Sequence, residues 1–141
     1  MKLRDVLSAK DNALQTIEPS ASLAQVVAKL VDANCGSLIV VDADVMVGII
    51  TERDILRTVA TCGDPLAEIE VYERMTGDVI TGDPNDDIQS AMATMTNHRI
   101  RHLPVMKDGS LSGMISIGDL VKTQQDLLAV ENHYLKTYIQ G

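Results

Sequence analysis

Two short stretches of the chain carry residue types that could meet an anion or a sugar: Thr51 with Asp54, and Ser116 with Asp119. In each, an apolar run, Gly48-Ile49-Ile50 or Gly113-Met114-Ile115, ends at a hydroxyl residue, and an acid follows three positions later. The residues beyond read as a helix. The first backbone N–H groups of a helix have no internal acceptor, and the macrodipole makes that end favourable to a phosphate. The same spacing also describes a capping box, in which the two side chains satisfy the helix's own donors. Thr61 to Asp64 and Thr123 to Asp126 match it too, so spacing alone leaves both readings open.

The elements that must position these residues occur twice. Asp54 and Asp119 stand 65 positions apart, and that shift aligns residues 14–56 with 79–121 without a gap. Thr16 meets Thr81, Pro19 meets Pro84, Leu38 meets Leu103, Gly48 meets Gly113 and Ile50 meets Ile115. In the first copy, Thr16-Ile17 predicts a brief strand stopped by Pro19, reached through Asn12 to Gln15. Ser20 or Ser22 can cap a helix whose Leu23, Val26, Val27, Leu30 and Val31 share one face, ended by Asn34 to Gly36. Ser37 to Val41 predicts a buried strand, Asp42-Ala43-Asp44 a turn, and Val45 to Ile50 the antiparallel return. Thr51 then opens a helix with Ile55, Leu56 and Val59 directed inward.

The order is β-α-β-β-α, with the first two strands parallel through a right-handed crossover. The fold class expected is α/β, of the α+β kind: two such repeats packed as a pseudo-two-fold pair, because each alone would leave a sheet face in water. Leu3, Val6 and Leu7 add a short N-terminal helix, and Val71 to Met75 another at the end of a connector. The domain boundaries that follow are 1–62 for the first repeat with its N-terminal helix, 63–124 for the second with its connector, and 125–141 for a helical tail. In that tail Leu120, Leu127 and Tyr134 recur every seven residues beside Val121, Leu128 and Leu135, in one helix or two broken near Asn132. Such a double seam points to a homodimer, the alternative being a tail that folds back on its own module.

Composition bounds the function. The chain has 141 residues, 45% of them apolar, with a formal charge of -8, no Phe or Trp and three Tyr. That balance disfavours nucleic acid and anionic membrane surfaces, and stacking platforms for bases are missing. A small nucleotide needs only a local cationic cluster. No apolar run is long enough to span a bilayer and nothing resembles a signal peptide. Cys35 and Cys62 read as reduced thiols of a cytoplasmic protein. His98, His102 and His133 have no metal-ligand spacing, so no metal is expected, and Met92, Met95, Met106 and Met114 read as core filler. Without a Walker loop, a paired nucleophile and base or a metal triad, the chain does not read as an enzyme.

Two β-α-β-β-α units, each ending in Gly-apolar-apolar-(Ser/Thr)-x-x-Asp-apolar, together with Ile100-Arg101-His102-Leu103-Pro104-Val105, resemble a tandem pair of cystathionine-β-synthase (CBS) domains, a free-standing Bateman module. The resemblance implies a regulatory module that binds an adenosine-containing ligand in clefts between the repeats and signals to a partner protein the sequence does not name. The ligands of that family include AMP, ADP, ATP, NAD(H) and S-adenosylmethionine; few cations lie near the motifs, which favours an AMP-like ligand or NAD(H). Carried onto this chain, the resemblance makes Asp54 and Asp119 acceptors for the ribose hydroxyls, and Thr51 and Ser116 donors to phosphate. Thr16, Thr81, Ser37 and His102 would line the adenine and phosphate ends, with Pro104 beside them. Arg101 and His102 fall where the family supplies phosphate-binding bases, whereas the first repeat has Gly36 and Ser37 there, so two unequal sites are expected. The competing reading is a structural or partner-binding module with no nucleotide, in which the motifs only cap helices.

Overall fold

The computed structural model describes residues 1–10 and 14–140, and the chain divides into two compact units, Ala13–Ile80 and a second made of Met1–Asn12 with Thr81–Gly141. Of the expected lead-in to the first strand, Asn12 and Ala13 lie outside the described residues.

The Ala13–Ile80 unit holds a three-stranded sheet in the order β1-β2-β3: β1 (Thr16–Ile17) runs parallel to β2 (Ser37–Asp42), which pairs antiparallel with β3 (Val45–Thr51). The crossover helix α2 (Leu23–Ala33) starts at Ser22, whose hydroxyl accepts from Gln25 N while Gln25 Oε1 accepts from Ser22 N, a complete capping box. It ends at Asn34 in the left-handed region, φ 50°, one of the few non-glycine residues that tolerate it. Helix α3 (Glu52–Thr61), a 3-10 turn (Leu66–Glu68) and α4 (Val71–Arg74) complete the unit. Its core joins Leu23, Val26 and Leu30 to Leu38, Val40, Ile50, Ile55, Ile69 and Val71. Three side chains expected inside lie outside: Val31, Leu56 and Val59 are exposed. On α3 the buried face runs through Ile55 and Thr58, because the Thr58 hydroxyl satisfies itself on Asp54 O at 2.8 Å and enters the core without an orphaned group.

In the second unit α5 (Ile88–His98) precedes a hairpin of β4 (His102–Lys107) and β5 (Ser110–Ser116), followed by α6 (Ile117–Gln140). The strand expected at Thr81 is absent. Only Gly82 pairs, in an isolated parallel bridge with Val105. The reason is Pro104: in the first unit Ile39 N donates to Gln15 O at 3.1 Å, and the matching position here is a proline with no N–H to give. Gly82 N still reaches Pro104 O and Met106 N reaches Gly82 O, both at 2.9 Å.

Helix α1 (Leu3–Ser8), assigned by adjacency to the first repeat, packs instead in the unit of the second, against β5 and α6. Its Leu3 N donates to Asp86 O and Arg4 N to Pro84 O at 3.0 Å, and Leu7 lies against Gly113, where a Cβ would come within 2.7 Å of Leu7 Cδ2. The connector residues 63–80 likewise belong with the first repeat: Thr76 and Ile49 exchange two backbone hydrogen bonds, at 2.9 and 3.0 Å. Helix α6 runs unbroken through Asn132. An asparagine inside a helix costs only a few tenths of a kcal/mol, too little to end one flanked by good helix formers.

Candidate functional site

Hairpin register assembles each motif. In the first unit Ser37 lies opposite Thr51 across β2 and β3; in the second His102 lies opposite Ser116 across β4 and β5. Both hairpins carry the same irregularity one step beyond the pair that holds the repeated glycine, between Val40 and Val41 and between Val105 and Met106. Strand residue, hydroxyl and acid therefore fall in the same relation twice. Thr16 sits opposite Ile39, two residues along β2 from Ser37, and Lys29 Nζ donates to its carbonyl oxygen. Thr81, by contrast, is exposed and outside any strand.

At the start of α3, Asp54 Oδ2 accepts from Thr51 N at 2.9 Å and from Thr51 Oγ1 at 3.1 Å, while Asp54 N donates to Thr51 Oγ1 at 3.3 Å. At the start of α6, Asp119 Oδ2 accepts from Ser116 N at 2.8 Å and Asp119 N donates to Ser116 Oγ at 3.1 Å. Both motifs are thus working capping boxes. The other two matches to the spacing are not: Thr61 donates back to Arg57 O and Thr123 to Asp119 O, each inside a helix turn. The remaining first-turn donors are largely spent as well, since Glu52 N is bonded to Gly36 O and Ile117 N to Arg101 O. The caps engage Oδ2 of each carboxylate and not Oδ1.

The two sites differ in charge. Lys10 Nζ stands 2.8 Å from Asp119 Oδ2 and donates to Met114 O at 2.7 Å. Burial pushes the Asp119 carboxyl up, but the Lys10 hydrogen bond and charge with the Ser116 backbone and hydroxyl donors outweigh it, so the group sits below the ordinary aspartate value. Asp54 has no ion pair among the described residues, and Glu52 adds a second acid to its helix turn. Sequence reasoning missed Lys10; a lysine 104 positions from Met114 gives no signal of spacing. Arg101 is exposed and lends its carbonyl to the α6 start, His102 is half-buried at the head of β4, and Pro104 is buried within it. A cavity of about 590 Å³ in the first unit, lined by Thr16, Glu18, Lys29 and Asp44 among others, does not include Ser37, Thr51 or Asp54 in its lining. Among the described residues no group of three His, Cys, Asp or Glu could hold a metal, and no helix is long and apolar enough to cross a membrane.

The family model for the CBS domain matches the chain twice, over residues 3–61 and 67–126. A mitochondrial CBS domain-containing protein of Arabidopsis thaliana is 41% identical over 113 residues, which are 77% of this chain and 55% of that protein; this chain therefore spans little more than half of it. A CBS-domain containing protein from Agrobacterium tumefaciens superposes with a TM-score of 0.84 at 35% identity, covering 88% of this chain and 99% of that one. A CBS domain pair solved in complex with 5′-methylthioadenosine and S-adenosyl-L-methionine shares the fold, with a TM-score of 0.78 at 24% identity over 89% of this chain and 97% of that one. Such pairs are regulatory modules rather than enzymes. With two matched repeats covering most of its length, the chain belongs to the CBS-domain family, as a tandem pair.

Proposed function

We propose that this CBS pair senses an adenosine-containing ligand, AMP-like or NAD(H), through its two hydroxyl–acid motifs, and relays occupancy to a partner protein. The observation that carries this reading is the register that sets Ser37 beside Thr51 and His102 beside Ser116, each one helical turn before a carboxylate. A carboxylate oxygen left over after capping suits a ribose hydroxyl, and a neighbouring hydroxyl, a histidine and the exposed Arg101 suit a phosphate. Thr16 and Pro104 would flank the base; Thr81 contributes from a loop. The complex of a like-folded CBS pair with two adenosine compounds supports the ligand class. Thermal unfolding with AMP, ADP, ATP, NADH and S-adenosylmethionine tests it: a compound that binds only the folded state stabilises by about 2.7 kcal/mol at a hundredfold excess over its Kd. No shift with any of them would leave the second reading, a module whose motifs only cap helices, which the use of both Oδ2 atoms in capping boxes favours.

The assembly we assign to the chain is a homodimer through α6. From Gln125 to Ile139 every side chain of this helix is exposed, including Leu127, Leu128, Val130, Tyr134 and Leu135, with Tyr138 at 86%. An apolar stripe of that length on a helix of about 36 Å needs a partner, and a two-fold copy supplies a matching one. Sedimentation at micromolar concentration should give a dimer for the full chain and a monomer after truncation at Thr123; a monomeric full chain sinks the assignment. Half-buried free thiols at Cys35 and Cys62 agree with a reducing, cytoplasmic setting.

A further inference from the structure

We infer that Lys10 sets the ligand preference of the second unit, making its motif select an adenosine ligand with a free phosphate over the uncharged nucleoside. The inference rests on the nucleotide reading above and narrows it to a charge class for one of the two positions.

The geometry is local to one unit. Helix α1 is pinned at its start by Leu3 N and Arg4 N on Asp86 O and Pro84 O, and by Ile88 N on Met1 O. Two residues past its end, Lys10 reaches the α6 start, where its ammonium bonds Asp119 Oδ2 and Met114 O. Both partners are only about a quarter exposed, at 24% and 25%, so water screens this pair less than a surface one. An ammonium has three N–H donors, and the two contacts named leave the third for an incoming acceptor. The charge of the motif acid, the acceptor for the ribose hydroxyls, is thereby offset beside Ser116, where the phosphate would sit. Among the described residues the first unit has no such device: Asp54 is held by Thr51, with Glu52 in the same turn. A unit charge within several ångströms is enough to change anion affinity by an order of magnitude in a partly desolvated site.

The test is calorimetry with AMP and with adenosine in an Asp54→Asn background, which leaves the second unit's position to be read by itself. Lys10→Met should weaken AMP about tenfold and change adenosine less than twofold, and Lys10→Arg, which keeps the charge, should retain the preference. Equal weakening of AMP and adenosine by Lys10→Met, or equal binding of both compounds before it, overturns the inference while leaving nucleotide binding intact. Failure of the unmutated chain to bind either compound overturns both. Loss of the preference in Lys10→Arg would also count against a role carried by charge.

Discussion

At the start of α3, Asp54 is held by its own cap, through the Thr51 N–H and hydroxyl; at the start of α6, Asp119 takes the Ser116 N–H and an ammonium delivered from the N-terminal segment. The backbone is duplicated down to the register of the hairpin. The electrostatics are not. Duplication preserves what the fold requires of the motif, a cap at a strand-to-helix junction, and leaves the surrounding charge free to diverge. Because each leading helix packs in a different repeat from the one it precedes in sequence, α1 can furnish Lys10 to the second motif, while α4 brings Met75 and Thr76 to the first.

The largest effect that separates the two units should come from their paired glycines. A Cβ on Gly48 would lie 2.8 Å from Thr76 O, a backbone atom tied to Ile49 N, as well as 2.7 Å from Met75 Sδ. The nearest atoms to a Cβ on Gly113 all belong to the Leu7 side chain, Cδ2 first at 2.7 Å. Overpacking against fixed backbone cannot relax as a leucine rotamer can, so Gly48→Ala should cost about 3 kcal/mol and Gly113→Ala about 1 kcal/mol. Urea unfolding of both variants measures the difference; equal costs would mean that the two junctions are interchangeable.

A smaller effect concerns pH. The folded Asp119 carboxyl titrates below its unfolded value, so its contribution is fully present above the unfolded pKa of about 3.9 and is lost as pH falls through the lower folded one. For a partly exposed pair that contribution is about 1 kcal/mol. Lys10→Met should therefore flatten the acid limb of the stability curve below about pH 4, whereas around Asp54 the described residues hold no such ion pair to remove. Unfolding free energies measured between pH 5 and 2.5 decide it, and identical acid limbs would deny the pair any role in stability.

Much of this was legible in the sequence and some was not, for identifiable reasons. The repeat and the hairpins follow from apolar periodicity and from the 65-residue shift between the copies, whereas the bulged register that sets Ser37 opposite Thr51 and His102 opposite Ser116 does not. The packing of α1 in the other repeat's unit does not, because adjacency in the chain is the only guide that a short amphipathic helix offers. Pro104 could have warned that the strand at Thr81 would be lost, since a proline in a middle strand removes one ladder donor. Leu56 and Val59 misled because their apolar character outweighed Thr58, whose hydroxyl needed only a carbonyl one turn back to be buried.

The smallest contrast lies at the hairpin tips, where one turn has conventional chemistry and the other does not. Asp108 and Gly109, at φ 51° and 79°, form a two-residue turn with both central residues left-handed, the Asp-Gly pair that such hairpins favour. In the first unit the same places are held by Ala43 and Asp44, at φ 51° and 66°. Alanine has no side-chain polar group to offset the clash of its Cβ with the following carbonyl, and the left-handed conformation costs it about 1 kcal/mol. Replacing it by glycine would remove that clash but enlarge the entropy of the unfolded chain by a similar amount, leaving little net gain. Asparagine tolerates the conformation without that penalty, so Ala43→Asn should stabilise by about 0.5 kcal/mol while Ala43→Gly stays near neutral. The mirror change, Gly109→Ala, sets the same clash against the same loss of unfolded-state entropy and should likewise stay near neutral, and since nothing lies within 4 Å of a Cβ there, no packing contact disturbs that balance. Urea midpoints of the three variants at constant m settle the contrast, and a destabilising Ala43→Asn would show that the Ala43 turn is held by something other than its own dihedral preference.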